Sequence, residues 1–265
     1  MSAEATPADE HLLVERRGSI LLVTLNRPEV KNAITRAMAD RLHVVTREFQ
    51  SDKDLHVLVL TGAGDSAFCA GADLGGDAVG DSPTSLRDAF PDPGKRFFSD
   101  VTKPVIAAVN GVCVAGGMEL MLGSDIRVVA ERAKFGVPEA RWALMPVGGG
   151  VVRLARQLPW AKAMELLLVA NTMTASEALD LGLVNRVVPT EDVLSTALEL
   201  ADRIQRNGPL AVRRIKEAVL QASGVPLYEA LYTELLLGSE VFRSNDAQEG
   251  PQAFMEKRQP VYRGD

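Results

Sequence analysis

The sequence predicts an α/β fold of β-β-α units followed by a helical C-terminal part. Three observations predict it. Two short all-apolar runs, VLVL at 57–60 and VIAAV at 105–109, read as strands buried on both faces. A pattern of strand, glycine turn, helix and strand occurs twice in outline. After Gly148-Gly149-Gly150 the chain carries helical signals almost to its end.

The elements follow in order. Residues 10–26 alternate and read as a hairpin turning at Arg16-Arg17-Gly18-Ser19. Pro28 and Asn32 mark a loop. Thr35 is placed to cap a helix running to about Ser51, with Met38, Leu42, Val45 and Phe49 on one face. The strand at 57–60 runs into the glycine-rich TGAGDSAFCAGAD. Residues 74–98, rich in Gly, Asp, Pro and Ser, read as a long polar loop and candidate lid. The strand at 105–109 ends at Asn110-Gly111. Gly116-Gly117 then opens a helix from about Met118 to Gly123, and Ile126–Ala130 reads as a strand. Thr174 and Glu177 form a capping-box pattern with Gly182 as a stop. Thr190 is expected to cap a helix that Asn207-Gly208-Pro209 ends. Further helices are expected at 209–222, 227–242 and 246–258. This divides the chain into a core, 1–200, and a helical region, 201–265. The helical region carries more apolar surface than one small sheet covers, which points to an oligomer.

Composition narrows the function. Hydrophobic residues make up 46% and charged residues 24%, as in an ordinary globular protein. A net charge of −6 argues against a nucleic-acid surface, which needs a basic footprint. The longest uncharged stretch, 104–118, is too short and too broken by glycine for a membrane span. The N-terminal MSAEATPADEH has no basic or apolar leader pattern, so a cytoplasmic location is expected. Cys69 and Cys113 read as buried free thiols. His11, His43 and His56 have no metal-ligand spacing, and no metal is expected.

Residues 62–67 match GxGxxA, but no amphipathic helix follows and the chain runs into another turn, so a dinucleotide site is not expected. There is no GxxxxGK[ST] and no GxSxG elbow. Two glycine-rich turns remain, AFCAGAD and AGGMEL, each beside a carboxylate. Glycine turns expose backbone N–H groups, and two converging N–H groups make an oxyanion hole. Glu119 lies in the first turn of a helix among Met118, Leu120, Met121 and Leu122, where desolvation would raise its pKa. Helix stabilisation is a competing reading of that acid, since an anion is favoured there by the dipole alone. For Glu139 the plainer reading is a loop acid paired with Arg141 or Arg132.

The segments NRPEVKNAI (26–34), AFCAGAD (67–73), KPVIAAVNGVCVAGGMEL (103–120), SDIRVVAERAKFGVPEA (124–140), Pro146 with GGG and Arg153-Leu154, and AFMEKRQP (253–260) together resemble the crotonase family, the enoyl-CoA hydratases and isomerases. The resemblance covers nearly the whole chain in order, apart from 74–98. It implies a spiral of β-β-α units with a helical C-terminal trimerisation region, assembled as a homotrimer or a hexamer built as a dimer of trimers. It implies an oxyanion hole at the N–H groups of Ala72 and Gly116, and catalytic carboxylates at Glu119 and Glu139. CoA contacts would fall on Lys31, Ala33, Ala70, Asp73 and Leu74, and on Phe254 and Lys257 from a neighbouring subunit. The acyl-CoA is the substrate, and no separate cofactor is implied. The run RWALMPVGGGVV departs from the family's usual PGAGGT-like stretch and makes Trp142 a candidate shaper of the acyl pocket.

Both glutamates favour 2-enoyl-CoA hydration. An isomerase commonly relies on one carboxylate. A non-catalytic CoA-binding protein is the competing class, since a fold does not prove activity. An RNA-binding helix at 35–51 is disfavoured because Arg36, Arg41 and Arg47 are interspersed with Asp40 and Glu48.

Overall fold

The computed structural model describes residues 10–73 and 97–265. Leu74 and the expected lid up to residue 96 lie outside them. Strands β1 (Leu12–Arg17) and β2 (Ile20–Leu25) form the expected antiparallel hairpin. Strand β2 then pairs in parallel with β3 (Val57–Gly62). Between them lies helix α1 (Arg36–Ser51). Its N-terminus is capped by Thr35, which accepts from the Met38 amide, and Met38, Leu42, Val45 and Phe49 are buried along one stripe.

Three strand pairs follow in sequence. These are β3 with β4 (Ala67–Cys69), β5 (Val105–Val109) with β6 (Val112–Val114), and β7 (Ile126–Ala130) with β8 (Lys134–Gly136). In each, the first strand joins a six-stranded sheet and the second a four-stranded sheet. The chain thus steps repeatedly from one sheet to the other, as expected for stacked β-β-α units. Helix α2 (Gly116–Gly123) fills the step after β6. The four-stranded sheet closes with β9 (Thr172–Thr174), antiparallel to β8, and the six-stranded sheet with β10 (Arg186–Val188) beside β7. Strands β3 and β5 are buried along their whole length. That is why their sequences are continuously apolar rather than alternating.

Helix α3 (Gly150–Gln157) packs on α2, α4 spans Trp160–Met164, and α5 (Ala175–Asp180) begins with the predicted capping box. Helix α6 (Val193–Gln205) lays Val193, Ala197 and Ala201 across β3, β5 and β7. The expected boundary at residue 200 therefore falls inside a helix packed on the core. Thr190 opens a short 3-10 turn and makes no side-chain cap, contrary to expectation. Helices α7 (Pro209–Ala222), α8 (Leu227–Phe242) and α9 (Asp246–Met255) follow. The last ends three residues short of the expected Arg258. Both cysteines are free and buried, as expected. No helix among the described residues is long and apolar enough to cross a membrane.

Phe97 and Phe98, read from sequence as the end of the polar loop, instead form a turn against the core, with Phe98 buried. On α1, Arg36 pairs with Asp40 and Arg41 with Glu48, so the helix does not present an unopposed basic face.

Candidate active site

The site begins with two asparagines. Asn32 is fully buried; its Nδ2 donates to the carbonyls of Ala63 and Ala67, and its Oδ1 accepts from the Arg27 amide. Asn110 Nδ2 donates to the carbonyls of Gly62 and Gly64. Both tie down the glycine-rich loop after β3. Beyond β4, Ile34 makes a parallel bridge to Ala72: its amide donates to the Gly71 carbonyl and its carbonyl accepts from the Asp73 amide. In such a bridge the N–H of the middle residue, Ala72, points the other way.

Ala115 links β6 to α2 with φ 51° and ψ −129°, a conformation costly for a residue with a Cβ. This sharp turn makes the Gly116 N–H the first of α2, where it has no acceptor inside the helix. The two turns touch. A Cβ built on Gly116 would lie 3.7 Å from the Ala72 nitrogen. Gly71 has φ +101°, and a Cβ there would stand 2.6 Å from that of Ala115. The expected pair of backbone donors is therefore brought together, and glycine at 71 allows the approach.

Glu119 projects from the first turn of α2 and is 5% exposed. Its Oε1 accepts from the Gly150 amide at 2.8 Å, where α3 begins. A Cβ on Gly148 would meet Oε2 at 2.6 Å and the Phe97 ring at 2.4 Å. The GGG run therefore serves close approach to this carboxylate. The Glu119 carboxyl stands at about 7, raised first by burial and also by the charge of Glu139. The amides of Gly150 and Gly148 and the Arg153 guanidinium pull it back.

Glu139 sits in a 3-10 turn, Pro138–Trp142, after β8. Its Oε2 is buried with no hydrogen-bond partner, and burial raises its pKa as well. The alternative pairing with Arg141 or Arg132 is not made. Two carboxylates with raised pKa values thus stand at the start of α2, three residues after Gly116, and in the turn after β8, close enough for the charge of Glu139 to raise Glu119.

The remaining expected residues divide. Lys31, Ala33, Ala70 and Asp73 lie on the same pair of loops. The Lys31 carbonyl accepts from the Ala70 amide, and Asp73 is ion-paired to Arg27 at 2.8 Å. The Lys31 side chain is exposed. Phe254 is 81% exposed near the end of α9, and Lys257 follows with φ 55°. Within this chain neither is brought to the glutamates by any recorded hydrogen bond. Trp142 is 71% exposed, and it lies outside the cavity between β3, β5 and α7 described below.

Sequence reasoning missed Phe97, and it named Arg153 only within a family-like stretch, with no role. Arg153 donates to the carbonyls of Glu119 and Phe97 and to the Ser99 hydroxyl. It fixes the turn that carries the Phe97 ring to the glutamate. The signals for Arg153 were that stretch and its place one α-helical turn beyond the GGG run.

A family model described as enoyl-CoA hydratase/isomerase matches residues 15–265. The chain belongs to this family, within the crotonase superfamily. It is 44% identical to the enoyl-CoA hydratase EchA19 of Mycobacterium tuberculosis, over 94% of this chain and 95% of that one. It is 39% identical to the carnitinyl-CoA dehydratase of Proteus mirabilis, over 96% and 99%. The crystal structure of an enoyl-CoA hydratase from Bacillus anthracis superposes with a TM-score of 0.90 at 36% identity, covering 96% of this chain and all of that one. The crotonase expectation for family and fold thus holds, and the chain is a crotonase-family acyl-CoA enzyme.

Proposed function

We propose that this enzyme is a 2-enoyl-CoA hydratase. The observation that carries the reading is the coupled pair of Glu119 and Glu139, both with raised pKa values, beside the N–H groups of Ala72 and Gly116. The thioester carbonyl would accept from these two amides. A water would sit between the carboxylates. Glu119 takes a proton from it as the hydroxyl adds to the β-carbon, and the thioester enolate forms in the hole. Glu139 delivers a proton to the α-carbon. One proton then passes from Glu119 to Glu139 and restores the pair, whose titration belongs to both groups together. The steps use protein groups and water. The dehydratase named among the relatives runs the same bond change in the opposite sense, and the same residues serve either direction.

On this reading CoA lies along the loops of Lys31, Ala33, Ala70, Asp73 and Leu74. Phe254 and Lys257 would come from a neighbouring copy. Exposed Ile215, Val219, Leu231 and Leu235 on α7 and α8 support a trimeric or hexameric assembly. Isomerisation needs only one carboxylate, and nothing in the site favours it over hydration.

The test is crotonyl-CoA hydration, followed by loss of the enoyl thioester absorbance. Glu119→Gln and Glu139→Gln should each lower kcat by about 10²–10⁴-fold. Wild type that binds CoA but leaves short and long enoyl-CoAs unchanged would sink the hydratase reading.

A further inference from the structure

At the end of the fold away from the glutamates, a cavity of about 470 Å³ opens between the starts of β3 and β5, the start of α7 and the segment 263–265. Strand β3 spans six residues, roughly 20 Å of extended chain. The glycine turns of the catalytic site lie beyond the other ends of these strands.

The cavity is basic in an acidic protein. Lys53, Lys103, Arg213 and Arg263 line it together with His56, against the single acid Asp265. Among the described residues none of these four cations has a carboxylate within ion-pairing distance. The nearby acids are engaged elsewhere. Asp52 and Asp54 pair with Arg16, and Asp246 accepts from the amides of Arg263 and Gly264.

Lys103 is almost fully buried. Its ammonium donates to the carbonyls of Phe49 and Asp52 and lies 5.1 Å from the Phe49 ring centroid. An ammonium has three donors, so one is left over. Burial, and then the charge of Arg213, lower Lys103 to about 8, and the Asp52 carboxylate, beyond ion-pairing distance, partly opposes them. His56 Nδ1 is buried with no partner.

We propose that this cavity binds a small phosphate-bearing molecule, its phosphate held by Lys53, Lys103 and Arg213. A phosphate carries more than one negative charge and several acceptor oxygens, which suits cations converging from three elements better than one carboxylate does. The volume suits a small metabolite. Walls of net positive charge concentrate the field even where the whole protein repels anions. The site does not depend on the hydratase reading.

The experiment is calorimetric titration of the full-length protein with inorganic phosphate, in zwitterionic buffer with saturating CoA. CoA fills any phosphate subsite of the catalytic pocket. One saturable event per chain is expected. Arg213→Gln and the exposed Lys53→Gln should each weaken it about tenfold, while Lys31→Gln leaves it unchanged. No saturable uptake at millimolar phosphate, or equal affinity in all three variants, overturns the proposal. Loss only in Lys31→Gln overturns it too, by tying the uptake to Lys31 rather than to the cavity.

Discussion

The Gly150 amide holds Oε1 of Glu119 at 2.8 Å across 31 positions of sequence. Helix α2 supplies the carboxylate and the start of α3 clamps it, so the charge faces the N-terminal ends of two helices. An anion is favoured there, which opposes the effect of burial. The carboxyl consequently settles near neutrality, at about 7, rather than far above it.

The glycine beside that clamp is the first target. Gly148→Ala would bring a methyl group into the space between Oε2 of Glu119 and the Phe97 ring. One of them must move by a substantial fraction of an ångström. Steady-state turnover of crotonyl-CoA should fall about 10²-fold, with CoA affinity little changed.

The pH behaviour has a definite sign. The base must be ionised, so kcat/KM should rise with pH through a midpoint near 7, set by Glu119. Phe97→Ala would admit water to the carboxylate and move that midpoint toward acid. Stability runs the other way. A carboxyl raised from 4.5 to about 7 stabilises the fold fully below 4.5, and that contribution is lost as pH rises toward 7. Glu119→Gln should therefore gain up to about 3 kcal/mol relative to wild type between pH 4 and 8. Denaturant melts at the two pH values measure this.

The two glycines of the facing turns should respond differently to alanine. Gly71→Ala meets a positive φ and a 2.6 Å clash with the Ala115 methyl, and should cost several kcal/mol. At Gly116 a methyl group finds only ordinary contacts of 3.6 Å or more, so Gly116→Ala should melt close to wild type. Thermal unfolding of the two variants side by side checks the contrast.

A buried cation supports the catalytic helix. Arg127 donates to the carbonyls of Met121, Leu122 and Ser124 at the end of α2, and to that of Leu183. Arg127→Met would leave these acceptors unsatisfied and should destabilise the protein by about 3–5 kcal/mol. Chemical denaturation gives the number.

Much of this architecture was legible because it is local. The Thr35 cap, the 174–177 capping box and the apolar runs of β3 and β5 announce themselves within a few residues. Helix ends were harder: Thr190 has the right chemistry for a cap, but the chain winds into a 3-10 turn first. The core of the site was legible only as the conjunction of two glycine turns and two acids. Phe97 was not, because it follows a long stretch without periodicity and acts through a contact with Gly148. The contacts of Arg153 were not, because two of its partners are carbonyls, which carry no side-chain identity. The basic cavity draws on loops and helices more than a hundred residues apart, so no window of sequence displays it.

The strained turn at Ala115 has a wider consequence. Where the anion-facing donors are main-chain amides, no exchange of side-chain functional groups can delete them. Their inheritance rests on a path through space rather than on particular letters at 72 and 116. Variation could therefore drift at the donor positions while the catalytic geometry persists. That geometry could equally be lost through one methyl group at Gly71, which would collide with the side chain of Ala115.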